Sequence, residues 1–361
     1  MIRALAFSLA LAGGAQGATS STAFSPDWTL KAPPFRMPAT LAEWATRRED
    51  VRRSIVELLG DQPRRPVPPD GAVVKREDRG DYVVETFRFD NGAGDRVPGY
   101  LLLPKAGKPP YPALVYLHYH GGEYALGKEV LFRDWPGEEK LGEELVRCGY
   151  AVMCIDAYCF GARRGRGPGG HVETDATEEM STSKYFLWKG TSLFAMMVRD
   201  DLVSIDYLLS RPEIDRSRVG AFGMSMGSTR AWWLAALDDR IAAVVAVACL
   251  TRYEDLARAR AYGAHGIYFF MPGFMKRFDT EAVLSLIAPR PFLTLTGNKD
   301  DGSPVSGVAA LNESTASVYR LFRKPAAFRG VVYSGVGHEY TTEMWRETIE
   351  WFDRHLATKT P

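Results

Sequence analysis

Four cysteines are too few to staple a chain of 361 residues, so a disulfide-built fold is excluded. Cys154 and Cys249 lie in apolar runs and read as buried thiols, while Cys148 and Cys159 flank one such run and could pair in an oxidising compartment. No Cys/His spacing fits a metal site, so neither a metal ligand set nor a cofactor is expected. An excess of one charge is also missing: 45 Lys and Arg against 44 Asp and Glu leave a net charge of +1. That balance argues against a nucleic-acid or anionic-membrane partner. The one basic cluster, Arg163-Arg164-Gly165-Arg166, reads as a solvated loop. Internal repeats and low-complexity tracts are absent, and 46% apolar with 25% charged residues is an ordinary globular balance, neither disordered nor channel-like. The length allows a large core in one domain or two.

The chain opens with Arg3, an apolar run from Ala4 to Ala12, and small residues at Ala15-Gln16-Gly17 before Ala18. This is the layout of a secretory signal peptide over residues 1–17, too short for a stable membrane span, and it implies a secreted or periplasmic protein. An N-terminal membrane anchor is the alternative. Residues 18–81 read as an arm with a helix: Thr40-Leu41-Ala42-Glu43 is a capping box ahead of Trp44, Val51, Ile55, Leu58 and Leu59 at helical spacing, and a proline-rich connector follows.

From Tyr82 the pattern changes. Tyr82–Phe89 and Val97–Leu103 predict a β-hairpin, followed by strands at 113–118, 150–155, 219–222, 241–250, 291–296 and 330–333. Helical patterns at 139–147, 191–210, 226–237, 308–322 and 342–356 alternate with them. Residues 156–184 show no clear period and read as a long loop over the carboxyl edge of the sheet. Residues 251–288 read as an insertion carrying the aromatic knot Tyr268-Phe269-Phe270 with Phe274. Residues 82–361 therefore predict an α/β fold with a mostly parallel sheet covered on both faces.

Within that frame, Gly223-Met224-Ser225-Met226-Gly227 is a G-x-S-x-G turn between a strand and a helix. A turn this tight has no room for side chains two residues either side of the serine, and it holds Oγ out beside helix N-terminal amides. A serine hydroxyl needs a base, itself oriented by a carboxylate, and open parallel sheets place such groups at strand carboxyl ends. Two later strands end in suitable loops: Gly297-Asn298-Lys299-Asp300-Asp301, and Ser334 to Glu339 around His338. Asp301, and more distantly Glu254 or Asp255, are rivals for the acid.

These residues, with His118-Tyr119-His120-Gly121-Gly122, Asp156 and Gly161, Arg199-Asp200-Asp201 and Ala288-Pro289-Arg290-Pro291, make the chain from about Tyr82 to Leu356 resemble the α/β-hydrolase superfamily. Within it the chain is most similar to the branch of dienelactone hydrolases, acetyl xylan esterases and prolyl-oligopeptidase relatives. The resemblance implies Ser225 as nucleophile, Asp300 as orienting acid and His338 as base. It implies oxyanion donors in the Met226 backbone N–H and in one amide after the strand at 113–118. Alignment on His118 selects His120, and alignment on His120-Gly121 selects Gly122; the first is preferred. Ser228 departs from relatives that carry a second glycine there, and the Gly-Cys-Ser-Arg turn of glucuronoyl esterases is absent.

Tyr119, Tyr185, Trp188, Tyr268, Phe269 and Phe270 are candidate pocket aromatics, with core packing as the competing reading. The function implied is an exported serine carboxylesterase acting on small-molecule or polysaccharide-linked esters, of acetyl xylan type. A peptidase like the prolyl oligopeptidases is one alternative, although the residues before Tyr82 are too few for their propeller. An inactive hydrolase fold used for binding is the other.

Overall fold

The computed structural model describes residues 31–134 and 140–357. The expected signal segment, residues 1–17, lies outside the described residues. Helix α1 (Leu41–Leu59) buries Trp44, Val51, Ile55 and Leu59, the stripe its sequence spacing sets out. Thr40 Oγ1 accepts from the Glu43 N–H at 3.1 Å, and Glu43 Oε2 accepts from the Ala39 N–H, one residue earlier than in the usual capping box.

Nine strands form one sheet in the order β1-β2-β3-β5-β4-β6-β7-β8-β9. Strands β1 (Gly71–Asp78), β2 (Tyr82–Asp90) and β3 (Arg96–Pro104) are antiparallel, and β3 meets β5 (Ala151–Ile155) antiparallel. From β5 onward the sheet is parallel through β4 (Tyr111–Leu117), β6 (Ile214–Met224), β7 (Ile241–Val247), β8 (Phe292–Gly297) and β9 (Phe328–Tyr333). The sheet thus begins at Gly71, within the stretch that the sequence pattern leaves in the arm.

Successive residues of β4 point to opposite faces. Ala113, Val115 and Leu117 join one core, and Leu114 and Tyr116 join the other. The first core is covered by α1, α4 (Leu193–Leu209), α5 (Met226–Leu237), α7 (Thr280–Ser285) and α8 (Val305–Leu321), and the second by α2 (Leu141–Arg147) and α9 (Thr342–Leu356). Between β7 and α7 lies α6 (Tyr253–Arg258). No described helix is long and apolar enough to cross a membrane.

Two expectations are corrected, and one pairing the sequence leaves open is decided. The stretch 156–184 is not all loop, because α3 (Asp175–Trp188) forms inside and beyond it, and Arg163 of the basic cluster is buried against Asp200, not solvated. No disulfide joins Cys148 to Cys159 among the described residues: Cys159 is buried with its sulfur 3.6 Å from Thr182 Oγ1.

Buried ion pairs explain the charged motif ahead of the serine. Asp201 on α4 takes both Arg230 Nε (3.0 Å) and Nη2 (2.5 Å) from α5. Asp200 accepts from Arg163, and Arg199 donates to the carbonyls of Pro63 and Arg64, tying the connector to the core. Leaving any one of these charges buried without its partner would be costly, so the motif fixes α4, α5 and the loop after β5 as a unit.

Candidate active site

Ser225 stands between the last residue of β6 and the first of α5, with φ 58° and ψ −122°. Side-chain-bearing residues seldom adopt positive φ, and here the packing enforces it. A Cβ on Gly223 would lie 2.5 Å from the Leu117 carbonyl oxygen, and one on Gly227 would overlap that same oxygen. Strand β4 therefore passes too close for anything but glycine at either place. The Ser225 N–H donates to the Val247 carbonyl at 2.9 Å, bracing the turn from β7. Ser228 fits in place of a second glycine because its Oγ donates to the Ala248 carbonyl at 2.7 Å.

Two loops from the same edge of the sheet meet this serine. His338, in the loop between β9 and α9, has Nε2 at 2.9 Å from Ser225 Oγ and Nδ1 at 3.0 Å from Asp300 Oδ2. Asp300 follows β8, and its side chain is buried. It also accepts from the Gly302 N–H (2.9 Å) and Ser303 Oγ (3.0 Å). Burial alone pushes the Asp300 carboxyl up, but the His338 contact, the Ser303 hydroxyl and the Gly302 amide outweigh it and hold the group below its ordinary value. A carboxylate at Nδ1 keeps the proton there and leaves the Nε2 lone pair for the serine.

The rival acids are elsewhere. Asp301 is exposed, and Glu254 and Asp255 are engaged by Arg258 at 2.8 and 3.1 Å.

The loop after β4, whose Leu117 and His118 carbonyls pass against Gly227, carries the two amides that the sequence leaves as alternatives. His118 is buried, receives the Ala157 N–H at Nε2 (3.1 Å), and so carries its proton on Nδ1, which donates to the Tyr119 carbonyl at 2.9 Å. Burial, with Arg230 nearby, pushes its pKa down to about 3, so the ring stays neutral. In a trans peptide C=O and N–H point oppositely, so turning the Tyr119 carbonyl inward turns the His120 N–H outward. That N–H has no acceptor among the described residues, whereas the Gly122 N–H is already used, donating to His120 Nδ1 at 3.1 Å. Of the two alignments, the His120 amide is the one left available. The Met226 N–H opens α5, where the first-turn amides have no partner within the helix.

The expected pocket aromatics divide. Tyr268 and Phe269, adjacent in the insertion, stack on two histidines: Tyr268 on His120 (5.4 Å) and Phe269 on His265 (3.9 Å). Tyr119 belongs to the core on the other face of the sheet, its hydroxyl donating to Glu123 at 2.8 Å. Trp188 is 91% exposed at the end of α3 and is not part of the cluster. Among the described residues no group of His, Cys, Asp or Glu could hold a metal ion.

A model of the Abhydrolase family matches residues 29–314. The chain belongs to that family. One relative, "Putative hydrolase YtaP" of Bacillus subtilis (strain 168), is 34% identical over 312 residues, spanning 86% of this chain and 100% of the relative. Among solved structures, a "putative acetyl xylan esterase" from Bacteroides fragilis superposes with a TM-score of 0.67 at 19% identity, covering 83% of this chain and 77% of its own. A glucuronoyl esterase from Solibacter usitatus also gives 0.67, at 18% identity and 90% and 98% coverage. At these identities the structural neighbours establish the α/β-hydrolase fold of this Abhydrolase-family chain.

Three residues near Ser225 carry no signal in the sequence pattern. Cys249 Sγ is 3.6 Å from Ser225 Oγ and 3.8 Å from His265 Nδ1. His265 Nε2 donates to the Gly302 carbonyl at 2.9 Å, bracing the turn that carries Asp300. Glu179 on α3 reaches His120.

Burial pushes His265 down to about 4, with His338 also opposing its charge. The unfolded chain binds that proton near pH 6.5 and the folded one only near pH 4. Unfolding therefore takes up a proton in between, and stability should fall as pH falls through this window. Gln at position 265 can keep the donor to Gly302 without titrating. The midpoint of thermal unfolding of H265Q is expected to drop less than that of the wild type between pH 6.5 and 4, as followed by circular dichroism. Parallel curves would contradict a neutral buried His265.

Proposed function

We propose that this Abhydrolase-family protein is an exported serine hydrolase that cleaves carboxylic esters through an acyl-enzyme. The observation carrying the proposal is the line from Ser225 Oγ through His338 to Asp300, with contacts of 2.9 and 3.0 Å.

His338 Nε2 takes the hydroxyl proton as Ser225 Oγ bonds to the ester carbonyl carbon. Asp300 stabilises the imidazolium that results. The carbonyl electron pair moves onto oxygen, where the Met226 and His120 amides meet it, each such donor contributing about 3 kcal/mol. Collapse breaks the ester C–O bond, and the Nε2 proton leaves with the alcohol. Water, losing a proton to the same nitrogen, then releases the acid and regenerates Ser225.

Polysaccharide-linked esters of the acetyl xylan type are the proposed substrates. This rests on the esterases among the structural neighbours and on the N-terminal sequence that implies export. The Gly223-Met224-Ser225-Met226-Gly227 turn differs from the glucuronoyl esterase pattern, so acetyl rather than uronate esters are proposed.

Matched acetyl, butyryl, feruloyl and methyl-uronate esters, with a peptide amide as comparator, test this on the purified protein. The expected ranking places acetyl esters first and the amide far behind. A peptide amide turned over as fast as the best ester would replace esterase with peptidase.

A further inference from the structure

Helix α3 is amphipathic in reverse. Its buried side chains are Glu178, Glu179, Thr182 and Ser183, while Met180, Tyr185, Leu187 and Trp188 are exposed. Burying carboxylates is expensive unless each finds donors, so this face is shaped around specific contacts. Glu178 accepts from the N–H groups of Gly165, Arg166 and Gly167, which holds the loop after β5. Glu179 faces the loop after β4. Its carboxylate lies 3.2 and 3.3 Å from His120 Nε2, and Oε2 accepts from the Tyr124 hydroxyl at 2.8 Å.

His120 Nδ1 already accepts the Gly122 N–H, so its proton is on Nε2 and points at Glu179. The ring is packed by Tyr268 on one face and by Tyr124 and Phe160 edge-on at 5.0 and 5.2 Å. The backbone N–H of this same residue has no acceptor among the described residues and is the amide proposed above as the second oxyanion donor. His118 fixes one end of the 119–120 peptide through the Tyr119 carbonyl, and Glu179 fixes the residue at the other end.

We infer that Glu179 is a positioning residue, holding the His120 amide at the place where the oxyanion develops and so coupling helix α3 to catalysis. The inference rests on the serine-hydrolase reading of the site. It assigns Glu179 no contact with substrate. A displacement of the donor by a fraction of an ångström weakens only the transition state, so the effect belongs in kcat and not in KM.

The test measures p-nitrophenyl acetate kinetics for the wild type, S225A, E179L, E179Q, H120L and E179L/H120L, with thermal melts to establish folding. E179L should lose about 30-fold in kcat at near-constant KM, less than the roughly hundredfold or more lost when an oxyanion donor is removed outright, because here the donor is displaced and not deleted. E179Q, whose amide oxygen can still accept from His120, should recover most of that loss. The double variant should be no slower than the slower of its parents, because Glu179 acts through the His120 ring. If E179L does not fold, E179A takes its place.

A folded variant at wild-type kcat, a loss confined to KM, or additive losses in the double variant would each overturn the inference. S225A separates the two levels. Turnover retained there sinks the reading of the site, and the inference with it, whereas an inactive S225A beside an unimpaired E179L sinks the inference alone.

Discussion

Ser225→Ala should lower kcat/KM for p-nitrophenyl acetate by about ten-thousandfold or more, with the circular dichroism spectrum and melting temperature unchanged. The two halves of that expectation have separate causes. Among the described residues Oγ is the one nucleophilic atom held at 2.9 Å from His338 Nε2, so its removal leaves the imidazole water to activate. The fold does not depend on it, because alanine keeps the Cβ that the positive φ already accommodates, and the turn is held by Gly223, Gly227 and the Ser225 N–H bond to Val247. The neighbouring Cys249 does not replace it. Burial pushes that thiol well up, so at neutral pH it holds its proton and is a poor nucleophile. Turnover in S225A near the wild-type rate would mean the chemistry lies elsewhere in the molecule.

Asp300→Asn should cost about a thousandfold or more in kcat, while Asp301→Asn should stay within about twofold of wild type. An asparagine at 300 presents either an amide N–H or a carbonyl to His338 Nδ1. It can stabilise neither the imidazolium nor the tautomer as a carboxylate does. The same substitution replaces an acceptor that takes the Gly302 N–H and Ser303 Oγ, so a small loss of melting temperature is expected as well. Asp301 is exposed, and its substitution changes one solvated charge. The pair of measurements distinguishes two adjacent residues that sequence spacing alone leaves open. The reverse outcome, with D301N the impaired variant, would require the loop to be shifted by one residue.

What was legible in the sequence follows from how each element is held. The parallel strands are apolar runs because both faces are covered, and the serine turn shows itself because β4 tolerates only glycine at 223 and 227. Strand β1 leaves no mark in the sequence for the opposite reason. Its side chains are almost all exposed, it sits at the edge, and backbone pairing with β2 holds it, so no hydrophobic alternation marks it. Helix α3 shows no helical period in the sequence because its inward face is polar and its apolar residues face solvent, the inverse of the pattern by which helices are found. For the same reason Glu179 had no visible context. His265 lies in an insertion, and nothing in its spacing reveals that Phe269 stacks on it and that it reaches Gly302. The choice between the His120 and Gly122 amides depends on which one is already bonded, which spacing cannot report.

The most direct measurement is covalent labelling with a fluorophosphonate, followed by peptide mapping by mass spectrometry on the folded protein. The expected result is one phosphonyl group per chain, on the peptide that carries Ser225, with labelling suppressed in the D300N variant. A folded protein that takes no label, or takes it on a different serine, would contradict the assignment of Ser225 as the nucleophile.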